Sequence, residues 1–298
     1  MINPMIKSGF IAIVGKPNVG KSTLLNAIMG EKIAIISPKP QTTRNRILGI
    51  KTTDAYQMVF IDTPGMHKGK DLLNQSIDRI AVSSLSEVDV VVFVVDRIMD
   101  QETEPIIHYF KGLKVPILLV INKIDALKSL SAIDEIILSY LPTYSFDAVI
   151  PVSAKNQTHL DKLLDAIVPH LIEGPYFFPK EMKSDQSEQH MMAELIREKI
   201  LYQTEQEVPH AVAVTIESIS ENEALNTVDV SALIVVERPT QKQILIGKGG
   251  EKIKKIGTEA RLEINRLLNT KIHLSLWVKV KKNWRNRPTD LKALGYGE

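Results

Sequence analysis

The 298-residue chain is long enough for two domains of ordinary size. Its 44% hydrophobic and 24% charged residues exclude a disordered or fibrous chain, and the absence of cysteine excludes disulfides, thiolate metal sites and a cysteine nucleophile, which suits a reducing cytosol. The net charge of +2 conceals a segregation: residues 1–180 carry 19 basic and 18 acidic side chains, 181–237 carry 3 and 12, and 238–298 carry 15 and 5, so the last segment has the footprint of a surface that meets polyanions.

From residue 1 to 175, β-branched runs alternate with amphipathic stretches, as strands joined by crossover helices do. The pattern predicts strands at Gly9–Val14, Arg46–Lys51, Gln57–Ile61, Val88–Val95, Val115–Ile121 and Ala148–Pro151. It predicts helices near Ser22–Met29, Asn74–Leu85, Glu104–Gly112, Ala132–Leu141 and Leu160–His170. Several strands are continuously apolar, which implies burial on both faces; the fold class is therefore α/β with a mostly parallel sheet. The longest apolar runs, at Val90–Val95 and Pro116–Ile121, fall short of the roughly 18–20 residues a spanning helix needs. Met1–Gly9 shows no secretory pattern, so the expected address is the cytoplasm.

Four motifs follow strands. Gly15-Lys16-Pro17-Asn18-Val19-Gly20-Lys21-Ser22-Thr23 fits a phosphate loop between the first strand and first helix. Its glycines let backbone amides wrap phosphates, Lys21 reaches the outer phosphates and the Ser22 hydroxyl can ligate Mg²⁺. Asp62-Thr63-Pro64-Gly65-Met66 follows the third strand, where Asp62 would approach Mg²⁺ and the Gly65 amide would sense a γ-phosphate. Asn122-Lys123-Ile124-Asp125 ends the fifth strand; the Asp125 carboxylate can accept two hydrogen bonds from guanine that adenine does not offer. Ser153-Ala154-Lys155 follows the sixth strand and can set a backbone amide on the guanine carbonyl. Separately these patterns are weak; in this order they point to GTP and GDP.

With these motifs in order, the first domain resembles the translation-factor-class GTPases of the Ras-like superfold. Ala34-Ile-Ile-Ser-Pro-Lys-Pro-Gln-Thr42-Thr43-Arg44 resembles switch I of the branch that holds Era and the tRNA-modification GTPases, which implies that Thr43 is an effector-loop Mg²⁺ ligand. A polar segment with no apolar periodicity of its own agrees with a loop ordered by γ-phosphate and Mg²⁺. On this resemblance Lys21, Thr43 and Gly65 form the catalytic set and Ser22, Thr43 and Asp62 the metal set. Met66 stands where Ras-like enzymes carry the glutamine that orients water, and a thioether cannot do so. The expectation is slow intrinsic hydrolysis accelerated by a partner or by K⁺, held in part by Asn18; Asn18 reads equally well as a turn-stabilising side chain.

Breakers at Glu173-Gly-Pro-Tyr-Phe-Phe-Pro-Lys180 and polar residues after them place a linker at 176–190 and a second domain at 191–298. There the pattern is a helix from Ser187 to Gln203, strands at Ala211–Ile219 and Thr227–Glu237, a helical turn, a helix at Glu251–Leu268 and a strand at Ile272–Lys282. Ile246-Gly247-Lys248-Gly249-Gly250, followed by Lys252, Lys254 and Lys255, sets a G-x-x-G loop between two helices. It resembles the RNA clamp of KH domains. Lys279 and Lys281 share one face of the last strand and extend the basic surface. Ile253, Ile256, Ala260, Ile264 and Leu267/Leu268 follow helical spacing and are core, and Trp277 is assigned to packing rather than to base stacking. His108, His159, His210 and His273 have no metal-ligand spacing.

Across essentially its whole length the chain resembles the Era family of bacterial GTPases. The resemblance implies small ribosomal subunit assembly, contact with the 3′ region of small-subunit ribosomal RNA, and peripheral association with the inner membrane, by a protein taken as a monomer. Two other readings stand beside it: a membrane-associated regulatory GTPase whose basic end meets anionic lipid, and a constitutive RNA-binding module with a structural nucleotide domain.

Overall fold

The computed structural model describes residues 5–65, 71–86, 88–223 and 226–296. Contacts divide them into two units. The first holds the described residues up to 34, then 43–65 and 77–185; the second holds 35–42, 71–76 and the described residues from 186 onward.

In chain order the first part contains β1 (Ile6–Val14), α1 (Lys21–Met29), β2 (Ile47–Thr52), β3 (Tyr56–Asp62), α2 (Leu72–Ser83), β4 (Val90–Val95), α3 (Glu104–Phe110), β5 (Ile117–Ile121), α4 (Ser131–Tyr140), β6 (Ala148–Pro151), α5 (Leu160–Ile167) and β7 (Ile172–Gly174). The sheet runs β2-β3-β1-β4-β5-β6, parallel except for β2 against β3, with β7 antiparallel on the start of β1. All six residues of β4 are buried, as expected of a central strand covered on both faces. On one face Phe93 meets Phe110, Tyr140 and Phe146 at ring-centroid distances of 5.0, 6.0 and 6.3 Å. The loops after β1, β3, β5 and β6 gather at the C-terminal edge of the parallel strands, where such sheets bind ligands.

The stretch assigned to a linker is partly structural. Residues 176–185 belong to the first unit. The buried Gln57 amide accepts from Phe177 N and Phe178 N at 2.7 and 3.0 Å and donates to Phe178 O at 2.9 Å. Phe177 stacks on Phe10 at 5.1 Å, and Lys183 O accepts from Ile50 N at 2.8 Å. A proline-rich, glycine-containing segment reads as a linker, but here its carbonyls and amides pair with partners more than 100 residues back.

The second unit adds α6 (Glu188–Gln203), α7 (Val208–Ala211), β8 (Ala213–Asn222), β9 (Thr227–Val236), α8 (Pro239–Ile246), α9 (Glu251–Leu268), β10 (Ile272–Val280) and α10 (Pro288–Ala293). Ser187 caps α6 by accepting from His190 N. β9 is central, antiparallel to β8 and parallel to β10, and α6 and α9 pack on the sheet. Ile256, Ala260 and Ile264 of α9 are fully buried, whereas Leu267, assigned to the core, is exposed and Leu268 is half-buried. Trp277 is also a correction: it is 63% exposed, since its parity on β10 is opposite to that of Leu276, which packs under Gly257. Trp284 is fully buried, donates from Nε1 to Ala211 O at 3.1 Å and stacks on Tyr296.

Candidate functional site

The turn from β1 to α1 carries Gly15 to Gly20. Asn18 and Gly20 have φ of 65° and 96°, so the backbone folds back on itself as amide-lined anion loops do. A Cβ on Gly20 would lie 2.4 Å from Asn122 Nδ2, which excludes any other residue without moving that amide. The left-handed backbone at Asn18 is one this residue type tolerates, which gives it a reason in the turn. Val19 is buried, Lys16 turns its ammonium to Asp100 and Glu102 at 2.6 and 2.7 Å, and Pro17 lies under Gly65, where a Cβ would come within 2.8 Å of Pro17 N. Thr23 lies on α1 beside Ser22.

Lys21 is buried and donates to Gly15 O at 3.1 Å and Lys16 O at 3.0 Å. Burial lowers its pKa to about 8, opposed by the charge of Asp62. Around it three oxygens converge. Ser22 Oγ donates to Asp62 Oδ2 at 2.5 Å and lies 2.8 Å from Thr43 Oγ1, which is 3.5 Å from the same carboxylate oxygen. Burial raises the Asp62 pKa to about 6, opposed by Lys21 and the two hydroxyls, and its Oδ1 has no hydrogen-bond partner. An orphaned, fully buried carboxylate oxygen beside two hydroxyls is a hard-oxygen set suited to Mg²⁺. Thr63 pins the end of β3 by donating to Ile13 O at 2.8 Å, and Pro64 continues the loop to Gly65. Met66 lies outside the described residues.

Asn122 is a strut between three loops. At 2% exposure it donates from Nδ2 to Val19 O and accepts from Ala154 N at Oδ1, both at 3.0 Å. Lys123, in left-handed conformation, reaches Asn18 O at 2.5 Å and Asp96 at 2.7 Å. After Ile124, Asp125 presents an exposed carboxylate whose Oδ1 accepts from Ser153 Oγ at 2.6 Å. Lys155 is exposed beside it. The structure thus brings together the phosphate, metal and base-reading residues that the motifs nominate. Asn26 was not visible as functional: from α1 its side chain holds both Ile33 N and Ala34 N at 3.0 and 2.9 Å, fixing the start of the Ala34–Arg44 segment.

In the second unit, Gly247, Gly249 and Gly250 all have positive φ and turn the chain from α8 into α9 after the half-buried Ile246. Lys248, Lys254, Lys255 and Lys279 are exposed, and Lys252 is half-buried. Lys281 is partly exposed and ion-paired with Asp290 at 2.7 Å.

Residues 10–123 match the family described as 50S ribosome-binding GTPase, and residues 207–285 match the KH domain family. The chain is 48% identical to GTPase Era of Alkaliphilus oremlandii (strain OhILAs) over 97% of its own length and 99% of that protein's. Two solved structures are similar over 98% of this chain and 100% of theirs. One is Aquifex aeolicus Era, as a point variant bound to GDP and aluminium fluoride, with 40% identity and a TM-score of 0.92. The other is Era in complex with MgGDPNP and nucleotides 1506–1542 of 16S ribosomal RNA, with 41% identity and a TM-score of 0.93.

Proposed function

Because the chain belongs to the Era family of GTPases, we propose that it is a GTP-driven switch whose KH unit binds the 3′ region of small-subunit ribosomal RNA and assists small-subunit assembly. It hydrolyses GTP to GDP and phosphate, with Mg²⁺ as cofactor. The observation that carries the reading is the convergence, at one sheet edge, of Lys21, Ser22, Thr43 and Asp62 with the Asn122–Ala154 strut and the Asp125 carboxylate.

Lys21 exchanges its loop carbonyls for the outer phosphates, and the loop amides between Gly15 and Gly20 bind them from below. Ser22 and Thr43 would offer hydroxyls, and Asp62 a carboxylate, to hold Mg²⁺, which would supply positive charge against that developing on the γ-phosphate. The Gly65 amide reports the γ-phosphate. Asp125 accepts from guanine N1–H and its exocyclic amine, and the Ala154–Lys155 backbone meets the guanine carbonyl. Water activation, which Met66 cannot provide, falls to a bound partner or to K⁺ held in part by Asn18. In the second unit, Ile246 to Gly250 approach the RNA backbone closely while Lys248, Lys252, Lys254, Lys255 and Lys279 meet its phosphates. The structure solved with 16S ribosomal RNA supports carrying that ligand over to this chain.

The same reading includes a cytoplasmic monomer with peripheral contact at the inner face of the membrane. Among the described residues no helix is long and apolar enough to cross one. The deciding experiment is GTP hydrolysis by the purified protein with and without small ribosomal subunits, in K⁺ and in Na⁺. Stimulation by subunits is expected; turnover that subunits leave unchanged removes the RNA-coupled part, and no turnover under any condition removes the switch.

A further inference from the structure

Residues 35–42 are held at both ends by one helix. Arg197 of α6 is fully buried, and its guanidinium donates through Nε and Nη2 to the two carboxylate oxygens of Glu194 at 2.7 and 2.6 Å and through Nη2 to the Thr42 carbonyl. The next residue, Glu198, is 2% exposed and accepts from Ile36 N at 2.9 Å, itself fixed by Lys199 at 2.8 Å. Between the two anchors, Thr42 Oγ1 closes the loop on Ser37 Oγ and Lys39 O, each at 2.7 Å. All of these residues belong to the second unit.

The cluster is a poor way to gain stability. Burial by itself would lower the pKa of the Arg197 guanidinium, and it takes Glu194 to push it back up; Nη1 remains without a hydrogen-bond partner. Well-packed apolar side chains usually serve a buried face at least as well as an ion pair. What the ions deliver here is geometry: a fixed position for the Thr42 carbonyl. Thr43 follows one peptide later, a Cα step of about 3.8 Å, and its hydroxyl is the one that lies against Ser22 and Asp62.

We infer that Arg197 is a positioning residue for GTP hydrolysis, holding the Thr42 carbonyl so that Thr43 is presented to the γ-phosphate side of the nucleotide. The inference rests on Thr43 being the effector-loop ligand. Only the triphosphate state uses Thr43, so the hold bears on GTP and not on GDP.

The test uses the full chain with three variants: Thr43→Val, Arg197→Lys, and Glu194→Met with Arg197→Met. The double variant removes both charges together, so none is left buried alone. Lysine keeps the charge beside Glu194 but cannot fork between carboxylate and carbonyl. Equilibrium affinities for GDP and for a non-hydrolysable GTP analogue with Mg²⁺, and single-turnover hydrolysis, are measured in each. The expected result is GDP affinity within twofold of wild type, with analogue affinity and single-turnover rate about tenfold lower in all three. If Thr43→Val shows this pattern and both Arg197 variants keep wild-type values, the inference is overturned while the switch reading stands. If Thr43→Val itself changes nothing, the reading beneath it fails. Equal loss of GDP and analogue in both Arg197 variants, or failure of both to fold, makes the cluster a requirement of the fold alone and also overturns the inference.

Discussion

Asn122→Ala removes a side chain that ties the phosphate loop to the loop after β6. At 2% exposure its amide makes two hydrogen bonds of 3.0 Å, to Val19 O and from Ala154 N, and alanine leaves both backbone groups buried without them. An orphaned buried polar group costs about 1–3 kcal/mol; two of them, partly relieved by water, come to about 3 kcal/mol. For a unit of this size that lowers the melting temperature by roughly 6–12 °C, at about 2–4 °C per kcal/mol. Calorimetry on the ligand-free protein reads the first unit, while tryptophan fluorescence, which comes only from Trp277 and Trp284, reads the second and serves as internal control. GDP affinity should fall at least tenfold as the Val19 and Ala154 loops separate, which is about 1.4 kcal/mol. A variant that melts within 2 °C of wild type, by roughly the conversion above, and binds GDP as tightly would refute the strut.

Other changes separate the remaining roles. Lys21→Ala should abolish tight binding of both GDP and GTP in a titration with labelled nucleotide, because it removes the cation of the phosphate loop; unchanged affinity would remove that assignment. Lys248→Asp with Gly249→Asp should weaken RNA binding strongly and lower its salt dependence without altering GTP affinity. Position 249 has open space around it, and its φ of 59° is tolerated by aspartate, so loss of nucleotide binding as well would signal misfolding. Asp62 binds its proton more tightly folded, with a pKa of about 6, than unfolded, at 3.8. Its contribution to the ligand-free protein is therefore complete below pH 3.8 and lost as pH rises through 6, on the order of 3 kcal/mol. Asp62→Asn should flatten the denaturation midpoint between pH 4 and 6, and an unchanged slope would place the titration elsewhere.

The nucleotide motifs were legible because each is local: a strand end, a turn and a helix start set the geometry within a few residues. Six of the seven strands of the first sheet were readable to within three residues for the same reason, since β-branched runs buried on both faces have few other uses; β7, only three residues long and partly inside the breaker stretch, was not. What stayed hidden depends on distance in sequence. Gln57 and Phe178 pair across 121 positions, so residues 176–185 looked like a linker. Glu194, Arg197 and Glu198 have the spacing of an exposed ion-paired helix face, yet α6 is buried almost all round and carries them inward. The Asp290 partner of Lys281 was hidden as well, because it sits on a helix the sequence did not announce. Trp277, whose parity is opposite to that of Val278 and Val280, reads either as surface or as a cap on the core edge; the packing assignment fails because its face of β10 is exposed.

The parallel pairing of β9 with β10 sets the order in which the second unit can be made. β8 and β9 close as a local hairpin, but β10 can join only after α8, the glycine turn and α9 have been threaded between them. Until it arrives, β9 presents a long edge of Thr-Val-Asp-Val-Ser-Ala-Leu-Ile-Val-Val with unpaired amides, a ready template for pairing with another chain. Parallel, non-local pairings also close slowly. A chain leaving the ribosome therefore has its nucleotide domain first and its vulnerable edge last, so stalled or truncated synthesis before residue 272 should yield aggregates that still bind GDP.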